Sequence, residues 1–185
     1  ELMLKRVPSI TRPSRNKNEI DTANFSHIIG LAGPIQRLLD ISKLSALDGS
    51  RVGEIIGQCV GLMHLNLGYT PIEDISPICG FSVLQTLSLA GCPLSDYTPI
   101  SSLESLHVLS LRASNISSTD PLKWLLRLRS LDLGQCSKID DIMALQPLTR
   151  LEELSLDSSG FVDVVDEAVS ETLEVISCVT CILPL

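Results

Sequence analysis

A six-residue pattern, Leu-x-x-Leu-x-Leu, recurs at a nearly constant interval and constrains the fold more than any other feature of this chain. It begins at Leu62, Leu84, Leu106, Leu128, Leu151 and Leu173, and the copies read LMHLNL, LQTLSL, LHVLSL, LRSLDL, LEELSL and LEVISC. The intervals are 22, 22, 22, 23 and 22 residues. Units of this length cannot bury an apolar face alone and must stack on their neighbours. The chain is therefore predicted to be a solenoid.

Each unit is predicted to contribute one short parallel strand, because the last two Leu of the pattern are two residues apart and share one strand face. A small polar residue or Cys follows the second Leu by five positions, and an apolar residue comes two positions later. The first column is Thr70, Cys92, Ser114, Cys136, Ser159 and Cys181. The second is Ile72, Leu94, Ile116 and Phe161, with Ile139 displaced by one residue, which accounts for the single longer interval.

These columns resemble the leucine-rich repeat family over residues 62–185. The 22-residue class is similar to the repeats of the regulatory subunit of protein phosphatase 1, of an axonemal dynein light chain and of bacterial internalins. The resemblance implies an α/β solenoid, a leucine-rich repeat horseshoe with a parallel concave sheet and short turns or 3₁₀ segments on the convex side. Convex turns are predicted to be capped by Asp74, Asp96, Ser118 and Asp141, with Pro77, Pro99 and Pro121 following three of them.

Three regions are expected along the chain. Residues 1–19 form a basic arm or linker, residues 20–61 an N-terminal cap with a degenerate repeat, and residues 62–185 six repeat units, the last incomplete. The arm reads as a linker, a phosphate-contacting segment or the remnant of a mitochondrial presequence. We expect further repeats or another chain to cover the C-terminal edge. The degenerate repeat is aligned on Ile41, Leu44, Ala46, Gly49 and Val52.

Cys178 and Cys181 are spaced like half of a zinc site or a thiol redox pair. In the repeat alignment, however, Cys178 takes the third-Leu position and Cys181 the small-residue column, so both are expected inside the solenoid. A zinc site needs four converging ligands, and no second Cys or His pair lies nearby in sequence. We therefore predict buried structural cysteines, with no metal and no cofactor.

The outward positions of the strands are mostly small, and the larger groups among them are the candidate partner-binding residues. Tyr69 and Arg112 are predicted to anchor a protein partner, while Asp132, Glu153 and Asp157 orient it. The alternative is that this face is only a soluble sheet surface. The full set of candidates is His64, Asn66, Tyr69, Arg112, Asp132, Gln135, Glu153 and Asp157.

Catalytic interpretations find little support in the sequence. The three histidines, His27, His64 and His107, fall in different units or before the array. His64 beside Ser88 or Cys92 would be the nearest imitation of a base and nucleophile, but no third orienting group is evident. Asp140 and Asp141 read as a solvated turn, and no phosphate-binding glycine motif occurs. We expect no enzyme activity.

The preferred function is a protein–protein interaction module or adaptor that binds a partner on its concave face. Two alternatives stay open: a structural subunit of a large axonemal, ribosomal or RNA-processing assembly, and the interaction domain of a larger enzyme such as a ubiquitin ligase. The net charge of −8 argues against nucleic acid except at the basic arm. We expect no membrane partner and an intracellular location, which is cytoplasmic unless the basic arm is a presequence remnant, in which case it is mitochondrial.

Overall fold

Seven short strands form one parallel sheet in a computed structural model that describes residues 37–43, 48–139, 141–159 and 180–182. Each strand pairs with the next in chain order. From β2 to β6, paired residues are 22 or 23 positions apart, the interval of the Leu pattern. The strands are β1 (Leu38–Asp40), β2 (His64–Asn66), β3 (Thr86–Ser88), β4 (Val108–Ser110), β5 (Ser130–Asp132), β6 (Glu153–Ser155) and β7 (Thr180–Ile182).

The core is a stack of aliphatic side chains supplied in equal shares by the units. The central residue of each strand from β1 to β6 is at most 1% exposed, whereas its two neighbours are half-buried or exposed. The first and third Leu of each pattern, such as Leu62 and Leu67, are buried as well. Burying one such side chain stabilises the fold by about 2 kcal/mol, so each unit depends on the neighbours that cover it.

After each strand the backbone turns inward through a residue in the left-handed region. The φ angles of these residues lie between 54° and 65°. The N–H groups of all of them but Ser158 donate to a carbonyl of the next unit, as Gly91 does to Arg112 O at 2.8 Å and Gln135 to Asp157 O at 2.7 Å. A non-glycine residue pays about 1 kcal/mol for this conformation, and the inter-unit hydrogen bond offsets that cost. The residues are Lys43, Tyr69, Gly91, Ala113, Gln135 and Ser158.

The column of small residues that follows is buried and hydrogen-bonded. Thr70 Oγ1 donates to its own unit's Leu67 O at 2.6 Å, and Ser159 Oγ does the same to Leu156 O at 2.7 Å. The cysteines instead donate to the preceding unit, as Cys92 Sγ does to Leu67 O at 3.1 Å. Cys136 Sγ makes the equivalent contact with Leu111 O at 3.1 Å. Cys92 and Cys136 are therefore both buried and hydrogen-bonded in this column.

Within the described residues, four 3₁₀ helices lie on the convex side. They span Ser76–Gly80, Thr98–Ser102, Asp120–Leu122 and Met143–Leu145. The predicted capping side chains accept the first N–H of each helix from two residues upstream, for example Asp96 Oδ1 from Thr98 N at 2.8 Å and Asp141 Oδ1 from Met143 N at 2.7 Å. These are Asx-type turns and their serine counterpart, placed one residue before the helix cap itself. The predicted short convex turns are confirmed.

The first unit is longer than the alignment predicted and starts earlier. Leu39 pairs with Leu65, so Ile41 occupies the place of Leu67 and not the first position of the pattern. The predicted register is wrong because Leu39 and Ile41, at 1% and 3% exposure, form the buried pair two residues apart. An α-helix, α1 (Gly49–Ile56), packs against the second unit with Val52 and Ile56 fully buried. Leu44 and Ala46 lie outside the described residues.

The last strand also departs from the predicted register. Cys181 pairs with Leu154, which puts it at the second-Leu position rather than in the small-residue column. The predicted position of Cys181 is therefore wrong, because Thr180, Cys181 and Ile182 pair with Glu153, Leu154 and Ser155. Cys178 lies outside the described residues. The three predicted regions of the chain stay predictions, since only parts of them are described.

These elements make a solenoid in which every unit runs from a sheet strand to a convex turn and back. The predicted leucine-rich repeat architecture, with its concave parallel sheet and 3₁₀ segments, is confirmed. Within the described ranges, no helix is long and apolar enough to span a membrane.

Candidate functional site

The candidate surface is the concave face, which we define as the outward side chains of β2 to β6 and of the residues that complete each turn after those strands. The strand register places all eight predicted binding residues on it. Between them the face carries mainly small side chains, so a partner backbone could approach the sheet closely. These small residues include Thr86, Ser88, Ser110, Ala113, Ser130 and Ser155.

His64 and Asn66, at the two ends of β2, are held by local hydrogen bonds. His64 Nδ1 lies 3.1 Å from Thr86 Oγ1 on the adjacent strand. Asn66 Oδ1 accepts the N–H of Gly68 at 3.1 Å and so stabilises the turn that leaves the strand. Both side chains are half-buried, and each already makes one hydrogen bond within the protein. Their part in binding stays a prediction.

Tyr69 is the large exposed group at this end of the face. It is 49% exposed and holds a left-handed backbone with φ 60°. Its ring lies over the next unit at Gly91, where an added Cβ would be 2.5 Å from Cδ1 of the ring. Gly91 therefore supplies both the φ of 63° and the space for the ring. Gln135 occupies the same column three units after Tyr69 and is also exposed, with φ 61°.

Arg112 is not free, because it is bound to Asp157 within the protein. Arg112 Nη1 donates to Asp157 Oδ1 at 2.8 Å and Nη2 to Oδ2 at 2.7 Å, a two-pronged pair across 45 residues of sequence. Ser155 Oγ adds a third hydrogen bond to Asp157 at 2.7 Å. Hydrogen bonding from Arg112 holds the pKa of the Asp157 carboxyl well below its usual range, and the same contact raises the pKa of Arg112.

Gly134 makes this ion pair possible, a role that the sequence reasoning missed. It belongs to the unit between those of Arg112 and Asp157, in the same column. A Cβ at Gly134 would collide with Arg112 Nη1 and lie 2.5 Å from Asp157 Oδ1. The guanidinium thus crosses the intervening unit directly above its backbone. The sequence did contain a signal for this pair, because Arg112, Gly134 and Asp157 follow one another in the same column of the repeat alignment.

Asp132 and Glu153 complete an acidic zone at this end of the face. Asp132 Oδ1 is 3.7 Å from Arg112 Nη1 and accepts the N–H of Gly134 at 2.9 Å. Glu153 is exposed and accepts a hydrogen bond from Ser130 Oγ at 2.9 Å. With Asp157, the zone contains three carboxylates, of which only Asp132 and Asp157 contact Arg112, so it keeps an excess of negative charge.

The geometry gives no support to a base and nucleophile formed by His64 and Cys92. His64 is directed to Thr86, while Cys92, its suggested nucleophilic partner, is buried against Leu67 O. Burial raises the pKa of the Cys92 thiol, which works against a reactive thiolate. Across the part of the chain that the structure describes, no three His, Cys, Asp or Glu side chains are grouped as metal ligands.

The residues that precede each strand form a second surface that the sequence reasoning did not single out. It contains His107 and lies beside the exposed Trp124. No single sequence column groups its residues, because Val83 and Arg127 lie two positions before the column that contains Arg37 and His107.

Comparisons with known proteins rest on structure alone, because no family model and no curated protein sequence matches the chain. The internalin InlF of Listeria monocytogenes superposes with a TM-score of 0.62 at 24% identity, covering 85% of this chain and 50% of that one. The functional domain of InlJ from the same species, described as including a cysteine ladder, gives 0.57 at 19% identity, covering 82% and 35%. TLR13, solved as a complex with ssRNA13, gives 0.67 at 18% identity, covering 89% and 23%.

The chain thus spans half the length of InlF and smaller shares of the other two. All three likenesses are below 25% identity and show the fold alone. They agree with the repeat interval, the strand register and the convex 3₁₀ turns described above. The predicted resemblance is confirmed at this level: the chain has the fold of a leucine-rich repeat solenoid.

Proposed function

We propose that this chain is a non-catalytic protein-binding module whose partner docks on the concave face at two zones. The observation that carries the proposal is the contrast between Tyr69, exposed on a face of small side chains, and the acidic zone of Asp132, Glu153 and Asp157. Tyr69 follows β2 and the acidic residues lie on or after β5 and β6, so three to four strand spacings, about 14 to 19 Å, separate the two zones. Exposed aromatic groups and complementary charge are the features that anchor and orient partners at protein interfaces.

The partner predicted by this arrangement carries an apolar or aromatic group for Tyr69 and basic side chains for the acidic zone. Arg112 acts here as an internal brace, since both its outer nitrogens are used by Asp157. This changes the role expected from the sequence, in which Arg112 was an anchor. An Arg112→Glu variant would damage the face itself and would be a poor test of binding.

The experiment is an affinity capture of the full-length protein from its native cells, with captured proteins quantified by mass spectrometry. Tyr69→Ala and Glu153→Lys are compared with wild type, and Glu73→Lys serves as a matched charge reversal on the convex side, where Glu73 is exposed. Loss of the same discrete partner from both concave variants, with retention by Glu73→Lys, supports the proposal. An unchanged set of proteins in all variants contradicts it.

Retention of one many-subunit complex by every variant would instead support the structural-subunit alternative. That alternative, the larger-enzyme alternative and the intracellular location stay predictions.

A further inference from the structure

A groove crosses the edge of the solenoid at which the strands begin. We define this edge groove by Arg37, Met63, Val83, Gln85, His107 and Arg127, which belong to five successive units. Its cavity volume is about 600 Å³. It is separate from the concave face, because its residues precede the strands whereas the concave residues lie on the strands or follow them.

Backbone hydrogen bonds fix the spacing of the groove residues. Met63 N donates to Arg37 O, Gln85 N to Met63 O and His107 N to Gln85 O, each at 2.8 Å. The first residue of each following strand donates to the same carbonyl, for example Val108 N to Gln85 O at 3.0 Å. Arg37, Met63, Gln85 and His107 therefore stand one strand spacing apart, and Val83 and Arg127 lie two positions before the same column.

The two ends of the groove are cationic. Arg127 makes no hydrogen bond or ion pair with any residue that the structure describes, and the bond found for Arg37 goes to the thioether sulfur of Met63 at 3.1 Å. By contrast, Arg129, two residues later and directly before β5, is paired with Glu152 at 3.0 Å. No carboxylate lies among the described residues that line the groove. Both terminal guanidinium groups are thus available to an anion.

His107 adds a polar donor to the floor. Its Nδ1 is buried without a hydrogen-bond partner among the described residues, while the side chain as a whole is only half-buried and lines the groove. A buried N–H without an acceptor is less tolerable than a buried lone pair. This favours the tautomer with the proton on Nε2, which would direct an N–H donor outward.

The middle of the groove is apolar, and so is the surface beyond Arg127. Val83 is 45% exposed beside the half-buried Met63. Arg127 also lines an adjoining depression with Trp124 and Leu126, which are 61% and 52% exposed. Trp124 is the only tryptophan of the chain. Arg and Trp are the residue types most enriched among interface anchors.

We propose that the edge groove binds an extended acidic peptide segment of a partner protein. Arg37 and Arg127 are four strand spacings apart, about 19 Å, which an extended chain covers in about six residues. The segment would therefore carry two carboxylates five or six residues apart, with an apolar residue between them for Val83 and Met63. Nucleic acid fits less well, because two cations around an apolar floor cannot follow a phosphate backbone on a protein of net charge −8.

The test uses the full chain and synthetic peptides, read by fluorescence anisotropy and by ¹H–¹⁵N chemical-shift mapping. The probe is a labelled peptide with two Asp residues separated by Ser-Leu-Leu-Ser. A Lys-for-Asp version tests charge, and a version with the two Asp residues adjacent tests spacing. We expect saturable binding of the first peptide only, with shifts at His107 and Gln85, and a weakening as salt is raised.

Arg37→Glu combined with Arg127→Glu should weaken that binding about tenfold or more, because two attractive contacts become repulsive. Arg150→Glu is the matched control, since Arg150 holds the position of Arg127 one unit later, is exposed and lies outside the groove. Urea midpoints of the variants establish that they are folded. Four results would each overturn the proposal. They are tighter binding of the peptide with adjacent Asp residues, equal binding of the Lys peptide, chemical-shift changes confined to the concave face, and no saturation by about 1 mM peptide.

The concentration dependence of sedimentation separates one further outcome. Self-association that the double Arg variant abolishes would mean that a second copy of this chain fills the groove, and the proposal of a partner peptide would then be wrong. The concave-face proposal does not depend on any of these results, because none of the groove residues belongs to that face.

Discussion

The guanidinium of Arg112 and the carboxylate of Asp157 make two hydrogen bonds, at 2.8 and 2.7 Å, although a whole repeat unit separates their strands. The pair spans the sheet surface rather than a single strand pairing, so it ties three units together. Its site is half-exposed, with side-chain exposures of 31% for both partners. Exposed pairs contribute little to stability in general, and the two-pronged geometry is what gives this one a measurable effect.

Replacing Asp157 by Asn should lower stability at neutral pH and have less effect in acid. The pKa of Asp157 is lowered in the folded state from an ordinary value of 3.8. Its contribution is therefore fully present well above pH 3.8 and is lost as the pH falls through the folded-state pKa. Urea unfolding of wild type and Asp157→Asn at pH 7 and at pH 3 would check this. A gap between the two curves that is as large at pH 3 as at pH 7 would count against the ion pair.

Gly134→Ala should open the same ion pair without unfolding the protein. The added Cβ meets the ends of the Arg112 and Asp157 side chains, which can move aside, and the backbone of Gly134 has an ordinary φ. The urea midpoint of the variant should consequently lose part of its dependence on salt. Gly68→Ala is the control, because its Cβ would have no neighbour closer than 3.3 Å. An equal salt dependence in Gly134→Ala and wild type would contradict the role assigned to Gly134.

Leu109→Ala should be among the more damaging single changes. Leu109 is 1% exposed at the centre of β4, and removing its side chain leaves a cavity that costs about 2 to 5 kcal/mol. Adjacent units should exchange their amide hydrogens faster as well, since stability in a solenoid passes between neighbours. Val108→Ala, on the same strand but 40% exposed, should cost far less. Similar urea midpoints for the two variants would show that β4 is placed wrongly.

The thiols of the described region should differ sharply in reactivity. Cys79 is exposed, whereas Cys59, Cys92 and Cys136 are buried. Burial raises the pKa of Cys59 and of Cys92, so each forms less of the reactive thiolate at neutral pH. Timed alkylation with peptide-level mass spectrometry should label Cys79 first, and the buried three only as the protein unfolds. Early labelling of Cys92 would contradict the packing of its column.

The repeat interval predicted the middle of the fold because its signal is redundant. Leu65, Leu87 and Leu109 occupy equivalent places, and any one of them predicts the register of the others. At the ends this redundancy fails. The first unit lacks a Leu at the first position of its pattern, and Cys181 stands where Leu is expected. The predicted register therefore fell on neighbouring residues of similar apolar character.

The candidate site was less predictable than the fold. The columns of the concave face follow from strand period alone, and they place Tyr69 and Glu153 on that face. Whether Arg112 faces a partner or Asp157 depends on side-chain reach over Gly134, which no linear pattern records. The edge groove was missed for a related reason: Arg37, His107 and Arg127 become neighbours only when the longer first unit is aligned correctly.

The unequal length of the units has a consequence for how such a chain can change. Register partners along the sheet are 26, 22, 22, 22, 23 and 27 residues apart, yet every strand stays in step with the next. In the first of the long intervals, α1 packs against the convex 3₁₀ helix of the second unit, and the pairing of β1 with β2 is undisturbed. The length of a unit can therefore change without moving the residues of the concave face. Convex insertions accordingly offer a route to attach tags or new domains without disturbing either proposed binding surface.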